Sequence, residues 1–469
     1  MARGARHREH SYQVSGKVDL SRYDWRTVLT IATAAMLIQQ AFSYVCQIAM
    51  PILADRLAEE FGISRGWLGF YLALQNVIAI LAAIGCGGFI LRYGPLRVSQ
   101  AALVMMGGSL VVIASGQLWL FPLGAVLMGA AAVSTPASSH ILARVCPPKL
   151  APLVFSVKQT GVPVGALIGG LLIPFLLGLV FYSDVFGGTV RLGHYGAAFV
   201  TALIVFLVAI CLQPVRTYFD QERDPNTKIG IGDLRATLRI VLSNPPLRDI
   251  AFAAFAFGGL QALFAGFFIL YLIDGLGYSE VEAGSAFAVA SFMAIWARIL
   301  WGWLGGSYVT PRLLLAMIGL IGGAASVGVG LYDQQWSLVE ITGVAVIYNM
   351  TAISWHGILL AEIARLAPAE NVGGVTGGVL SFTSIAMMIY PAAYGGILAA
   401  TGSYSIGFVI AAAPSFAAFI IFLKQPIAGS WLDATVKQTA LACQPAVLLR
   451  AVAILALGIG SGLAWDALP

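Results

Sequence analysis

Twelve apolar runs, each long enough to cross a bilayer, leave this chain very few folds. They lie near residues 27–50, 67–91, 98–116, 119–143, 152–180 and 195–214, then 248–273, 281–304, 311–331, 337–362, 372–400 and 404–424. A helix needs about 20 apolar residues to span ~30 Å of hydrocarbon. A strand in lipid would leave its edge unsatisfied, so each run reads as a helix. A polar stretch from Val215 to about Leu247 divides the runs into six and six. Composition agrees, with 59% hydrophobic and 10% charged residues and a mean hydropathy of +0.88. A soluble shell so poor in charge would expose large apolar patches. Soluble enzymes and nucleic-acid modules are therefore excluded, and an all-α membrane protein is expected.

The basic residues set the expected orientation. With the N-terminus inside, twenty Lys and Arg fall on inner segments, and only Arg56, Arg65 and Arg191 fall outside. That asymmetry is the positive-inside pattern. The expected organisation is a basic cytoplasmic N-terminus (1–26), a first six-helix half (27–214), a cytoplasmic central loop (215–247), a second half (248–424) and a tail (425–469). The basic N-terminal stretch and the long first run do not read as a cleavable signal. In the tail, Ala446 to Trp465 is apolar but carries Arg450. It is expected to lie in the interface or to associate loosely, with a short extra span as the alternative. Five cysteines without CxxC spacing give neither a disulfide framework nor a metal site. No cofactor is expected, no nucleic-acid partner, and a monomer.

The halves match weakly at an offset of 215 residues: Gly87 with Gly302, Tyr93 with Tyr308, Arg97 with Arg312, and Gly107-Gly108 with Gly322-Gly323. Paired six-helix repeats suit a transporter that rocks one half against the other. Between runs 2 and 3 stands Gly87-Gly-Phe-Ile-Leu-Arg92-Tyr-Gly94-Pro-Leu-Arg97. It resembles the cytoplasmic loop motif of the major facilitator superfamily, G-x-x-x-D-R/K-x-G-x-R-R/K, through Gly87, Arg92, Gly94 and Arg97. Leu91 occupies the place of the motif's acid, which in the family helps latch the outward-facing state. The resemblance covers roughly residues 27–424 and implies two pseudo-symmetric six-helix halves.

Two cations fall inside apolar runs, Lys158 in the fifth and Arg298 in the eighth, with no acid deep in any run. A charge there costs at least ~2.5–3.5 kcal/mol on insertion scales, so it lines a pathway, finds a partner or snorkels to the headgroups. An anionic substrate would supply the missing counter-charge. The segment Ala297-Arg298-Ile-Leu-Trp-Gly302 partly resembles the run-8 segment of monocarboxylate and oxalate–formate carriers, where the arginine binds the substrate carboxylate. Ala297 and Gly306 depart from that pattern. Gln39, Gln40, Tyr44, Gln261, Asn349 and His356 complete the expected substrate site, on runs that line the cavity in the family. His140 and His356 are the candidates for proton coupling. Pro163 and the glycines at 161, 165 and 169 are expected to let run 5 bend and pack closely.

The expected function is secondary active transport of a small, monocarboxylate-like organic anion across the plasma (inner) membrane, by proton coupling or exchange. Two other readings compete, an exporter of drugs or lipophilic compounds and a non-transporting sensor on a transporter fold. A membrane-embedded enzyme is disfavoured, because clustered His and carboxylates, H-E-x-x-H and G-x-S-x-G are all missing. There is also no G-x-x-x-x-G-K-[ST] loop for ATP.

Overall fold

A computed structural model describes residues 24–424, apart from 65–66, 184–187, 222 and 228, together with 447, 449–451 and 453–454. Of the segment Ala446–Trp465 only those last six residues are described, so its expected placement falls outside the described residues. Among the described residues twelve helices are long and apolar enough to cross a membrane. They are span 1 (Trp25–Phe61), 2 (Trp67–Tyr93), 3 (Pro95–Ala114), 4 (Leu118–Val145), 5 (Ala151–Gly178), 6 (Gly193–Phe219), 7 (Pro245–Gly275), 8 (Glu280–Ser307), 9 (Pro311–Gly330), 10 (Leu338–Leu366), 11 (Ala369–Thr401) and 12 (Tyr404–Leu423).

Three local features differ from the sequence expectation. Span 1 runs on to Phe61 and takes in Arg56, which was expected in a loop. The extension is amphipathic: Leu53, Ala54, Leu57 and Ala58 are buried, while Asp55, Arg56, Glu59 and Glu60 are exposed, the 3.6-residue period of a half-buried helix. The connection between spans 5 and 6 holds a small antiparallel hairpin, β1 (Val180–Ser183) with β2 (Gly188–Arg191). The central connection contains a helix, Ile231–Ser243. Leu234 lies beside Gly85 of span 2, and Thr237 and Val241 lie beside Gly378 of span 11. Their i, i+3, i+7 spacing hides an apolar stripe in a polar-looking segment.

The two halves meet along one side of the molecule. This is the side carrying Arg92, Arg97, Arg144, Lys149, Arg216 and Arg365, called here the basic side. Glycine permits the approach. A Cβ at Gly87 in span 2 would stand 3.0 Å from Gly374 Cα in span 11, and one at Gly377 would strike the carbonyl of Ala83. Spans 5, 8 and 10 close likewise: a Cβ at Gly302 would lie 2.6 Å from Ser156 Cβ and 2.9 Å from the Pro152 carbonyl, and Gly357 sits on Ser156. Small residues are what let membrane helices pack this tightly. The principal packing between halves joins span 2 to 11, span 4 to 11, and span 5 to 8 and 10. The close contacts named here lie toward the basic side, where the two halves seal against each other.

Candidate functional site

Spans 5 and 10, which carry or flank the buried cations, are not regular helices. Span 5 is two segments, Ala151–Gln159 and Gly161–Gly178, joined at Thr160. Pro163 has no N–H, and in an unbroken helix that N–H would serve the carbonyl of Gln159. Span 10 breaks at a π-turn, Asn349–Ile353, before a last helix begins at His356. Such bulges free backbone groups and cluster at functional sites.

Lys158 and Arg298 lie at these breaks. Counted from the helix ends, Lys158 is about 11 Å and Arg298 about 14 Å inside the basic end. Lys158 is 0% exposed and Arg298 2% exposed, so neither head reaches the surface. Lys158 Nζ donates to Gln40 Oε1 of span 1 at 2.6 Å. Thr135 Oγ1 of span 4 donates to the same oxygen at 3.2 Å. Arg298 uses its two terminal nitrogens differently. Nη1 donates to the carbonyl of Gln159 in the opposite half, and Nη2 to the carbonyl of Ile353 at 3.0 Å. Its Nε is buried without a partner among the described residues. Among the described residues no carboxylate stands within ion-pair distance of either cation.

Of the other expected site residues, Tyr44 and His356 come closest. Tyr44 is in electrostatic reach of Arg298, and His356 of both Arg298 and Lys158. The His356 ring stacks on Trp355 at 3.7 Å. Gln39 donates to Ser43 Oγ at 3.1 Å, and Asn349 Nδ2 to the Ala345 carbonyl at 2.9 Å. Among the described residues the amide oxygens of Gln39, Gln261 and Asn349 have no protein donor. Trp301 was not anticipated. One turn from Arg298, it donates from Nε1 to the Met350 carbonyl at 2.5 Å and braces the π-turn.

His140 belongs to a different place. Its Nδ1 accepts the Gly373 N–H at 3.3 Å, joining span 4 to span 11. It lines a cavity of about 580 Å³ on the basic side with Arg144, Arg223, Arg365 and Glu370. The four free cysteines described, Cys46, Cys86, Cys146 and Cys211, form no disulfide, and no His/Cys/Asp/Glu group among the described residues could hold a metal.

The loop motif is held by an acid from outside it. Gly94 caps span 3 with φ 96° and so has no side chain to offer the first N–H groups of the helix. Asp220, just past span 6, supplies the cap from a distance: Oδ1 accepts from Leu96 N at 2.7 Å and Oδ2 from Arg97 N at 3.1 Å. These are the N2 and N3 donors that an N-cap side chain normally takes. A Cβ at Gly94 would fall 2.5–2.7 Å from the Asp220 side chain, so glycine there makes room for the carboxylate. Burial pushes the Asp220 carboxyl upward in pKa, against the two backbone donors and Arg97 and Arg216. The chain then stays on the loop: Asp224 N donates to the Leu91 carbonyl at 2.9 Å, and Arg92 reaches the Thr227 carbonyl at 3.4 Å. The second half has its own version, with Arg312 paired to Asp249 at 3.0 Å.

Comparison with known proteins bears on this architecture. The probable nitrate/nitrite transporter NarK2 of Mycobacterium tuberculosis is 29% identical over 184 residues, 39% of this chain and 42% of that protein. The chain thus matches less than half the length of that relative. The probable galactarate/D-glucarate transporter GudP of Escherichia coli is 20% identical over 404 residues, 79% of this chain and 87% of that one. The human organic anion transporter MFSD10 (TETRAN) shares the fold with a TM-score of 0.66 at 16% identity, covering 85% of this chain and 100% of that chain. Residues 29–377 match the Major Facilitator Superfamily, and with twelve spans in two halves the chain belongs to that family of membrane transporters.

Proposed function

We propose that this protein is a secondary transporter that moves a small organic anion by alternating access. The observation that carries the reading is the pair of fully buried cations, one per half, with no carboxylate partner among the described residues. Each is held only by neutral oxygen, which an anion can replace with a stronger, charge-assisted bond. Arg298 offers a planar fork to a carboxylate, and Lys158 a second point charge from the opposite half. Gln39, Gln40, Tyr44, Gln261, Asn349 and His356 supply polar atoms around that pair. His140 and His356 are the two candidates for a co-transported proton; exchange against another anion is the alternative coupling.

The basic side is the cytoplasmic side, by the asymmetry of Lys and Arg. The closed ends then face the cytoplasm, and the conformation is outward-facing. A monocarboxylate-like acid is the favoured cargo, from the span 8 sequence around Arg298. The names of NarK2 and GudP favour anions more broadly, and an inorganic oxyanion such as nitrate is the second reading.

A thermal-shift screen of the purified protein tests both. A ligand that binds the folded state raises its apparent stability. Short monocarboxylates are expected to raise the melting temperature, and nitrate to do so if the second reading holds. Stabilisation by cationic drugs alone would overturn the anion reading.

A further inference from the structure

We infer that Arg298 is also the latch of the cytoplasmic gate, and that cargo opens the gate by drawing its guanidinium off the Gln159 carbonyl, which Pro163 leaves free. The inference rests on the proposed anion site and adds the step that links binding to movement.

The Arg298–Gln159 bond crosses between the halves, from span 8 to span 5. Its acceptor is available because of the local sequence. A regular helix would commit the Gln159 carbonyl to the N–H of residue 163, and Pro163 has none. An acceptor orphaned in lipid must find a donor elsewhere. Arg298 is that donor, and the same guanidinium holds the Ile353 carbonyl at the π-turn of span 10. One side chain thereby ties together the breaks in spans 5 and 10. These breaks lie directly above the packing of Ser156 on Gly302 and Gly357, where the halves close.

Carbonyl oxygens are weaker partners for a guanidinium than a carboxylate is. An anion arriving from the open side therefore competes for the nitrogens that hold the halves together. A ligand shifts a conformational equilibrium only through its differential interaction with the two states. Here the difference is physical: in the closed-gate state the anion must displace the Gln159 carbonyl, and once the halves part that competitor is gone. The cargo thus binds the gate-open state better, and an empty site keeps the gate shut.

Hydrogen exchange followed by mass spectrometry on the intact protein in nanodiscs tests this, read over Ala83–Tyr93 of span 2 and Val372–Thr383 of span 11. Opening the gate exposes these segments and raises their exchange. Pro163→Ala restores the missing N–H and gives Gln159 an acceptor role within its own helix. It is expected to raise gate exchange severalfold without cargo, as is Arg298→Ala. Arg298→Ala removes the bond to Gln159 together with the one to Ile353, and Pro163→Ala acts only on the bond to Gln159, so the double variant should match Arg298→Ala rather than add to it. Pro174→Ala, a proline later in the same span, should leave the gate as it is. Pro163→Gly restores the same N–H and serves if the alanine variant does not fold.

The latch is overturned if the folded proline variants keep the gate at wild-type exchange, or if the two effects add. Sodium lactate, sodium D-glucarate and sodium nitrate are the anion probes. The anion that stabilises the wild type should raise its gate exchange and have little further effect in Pro163→Ala. An anion that binds and leaves the wild-type gate unmoved also overturns the coupling. If none of the three binds while Pro163→Ala and Arg298→Ala still open the gate without adding, the latch stands and the cargo reading alone fails.

Discussion

Lys158 and Arg298 lie in opposite halves at depths only about 3 Å apart, yet they are held in different ways. Lys158 rests on one side-chain amide, Gln40, in its own half. Arg298 rests on backbone carbonyls, one of them across the interface. A side-chain partner can swing away while both halves stay in place. A backbone carbonyl moves only when its helix moves. Lys158 can therefore tune how an anion is received, whereas any change at Arg298 touches both reception and the relation of the halves. Neither is paid for by a carboxylate among the described residues, so both depend on neutral groups until an anion arrives.

The largest expected effect is at Arg298. Removing one partner of a buried, hydrogen-bonded charge pair costs about 2–5 kcal/mol, roughly 30-fold or more in affinity. Arg298→Ala should abolish anion uptake in proteoliposomes. Arg298→Lys keeps the charge but cannot hold two carbonyls in a planar fork, and should lower uptake about tenfold or more. Normal uptake by Arg298→Lys at normal expression would erase the distinction between the two cations.

Lys158→Ala should act mainly on the Michaelis constant, raising it about tenfold, the loss of one charge-assisted bond of roughly 1.5 kcal/mol. The maximal rate should fall far less than in Arg298→Ala. Equal losses of rate in the two variants would mean that Lys158 too is part of the moving contact.

Gln40→Ala should have a smaller effect, about two- to tenfold on the Michaelis constant, within the range of one hydrogen bond. Gln40→Glu sharpens the comparison. It places a carboxylate against Lys158, an internal competitor for cargo, and should impair uptake more than Gln40→Ala does. An opposite ranking would remove Gln40 as the group that presents the lysine.

Much of this was legible in the sequence. Twelve apolar runs, the six-and-six division and the glycine-rich loop motif follow from local pattern, and local pattern survives folding. Lys158 and Arg298 stood out because a charge in an apolar run is conspicuous wherever the helix packs. Their partners did not stand out. Gln40 lies 118 positions from Lys158, and Gln159 lies 139 from Arg298, separations that no periodicity encodes. In the sequence Pro163 implies a bend, and its second consequence, a carbonyl without a helical donor, acquires meaning only with the span 8 guanidinium beside it. The amphipathic helix Ile231–Ser243 was missed for another reason, since its apolar stripe is short and sits among charges. His140 looked like His356 in sequence, and only packing separates the inter-half contact at Gly373 from the ring beside the cations.

Asp220 gives the smallest expected effect on transport, and it tests whether the effects at the two cations are local. Leu91 stands where the loop motif carries its acid, so the sequence implied a missing latch. The structure instead brings a carboxylate from the end of span 6 onto the first turn of span 3, where Gly94 has no side chain to fill the space. Its two acceptors meet the N2 and N3 donors of the helix, and Arg97 and Arg216 flank the charge. Loss of a helix cap costs about 1 kcal/mol. Asp220→Ala should therefore lower the melting temperature of the purified protein by about 1 °C. Asp220→Asn, which keeps an oxygen for one of the two donors, should lose less. Both contacts lie within the first half, so the affinity for cargo should be unchanged. A Michaelis constant that rose as much in Asp220→Ala as in Lys158→Ala would show that the strap from span 6 sets the geometry of the buried cations, and the contrast between a tuned lysine and a latched arginine would have to be redrawn to include the loop.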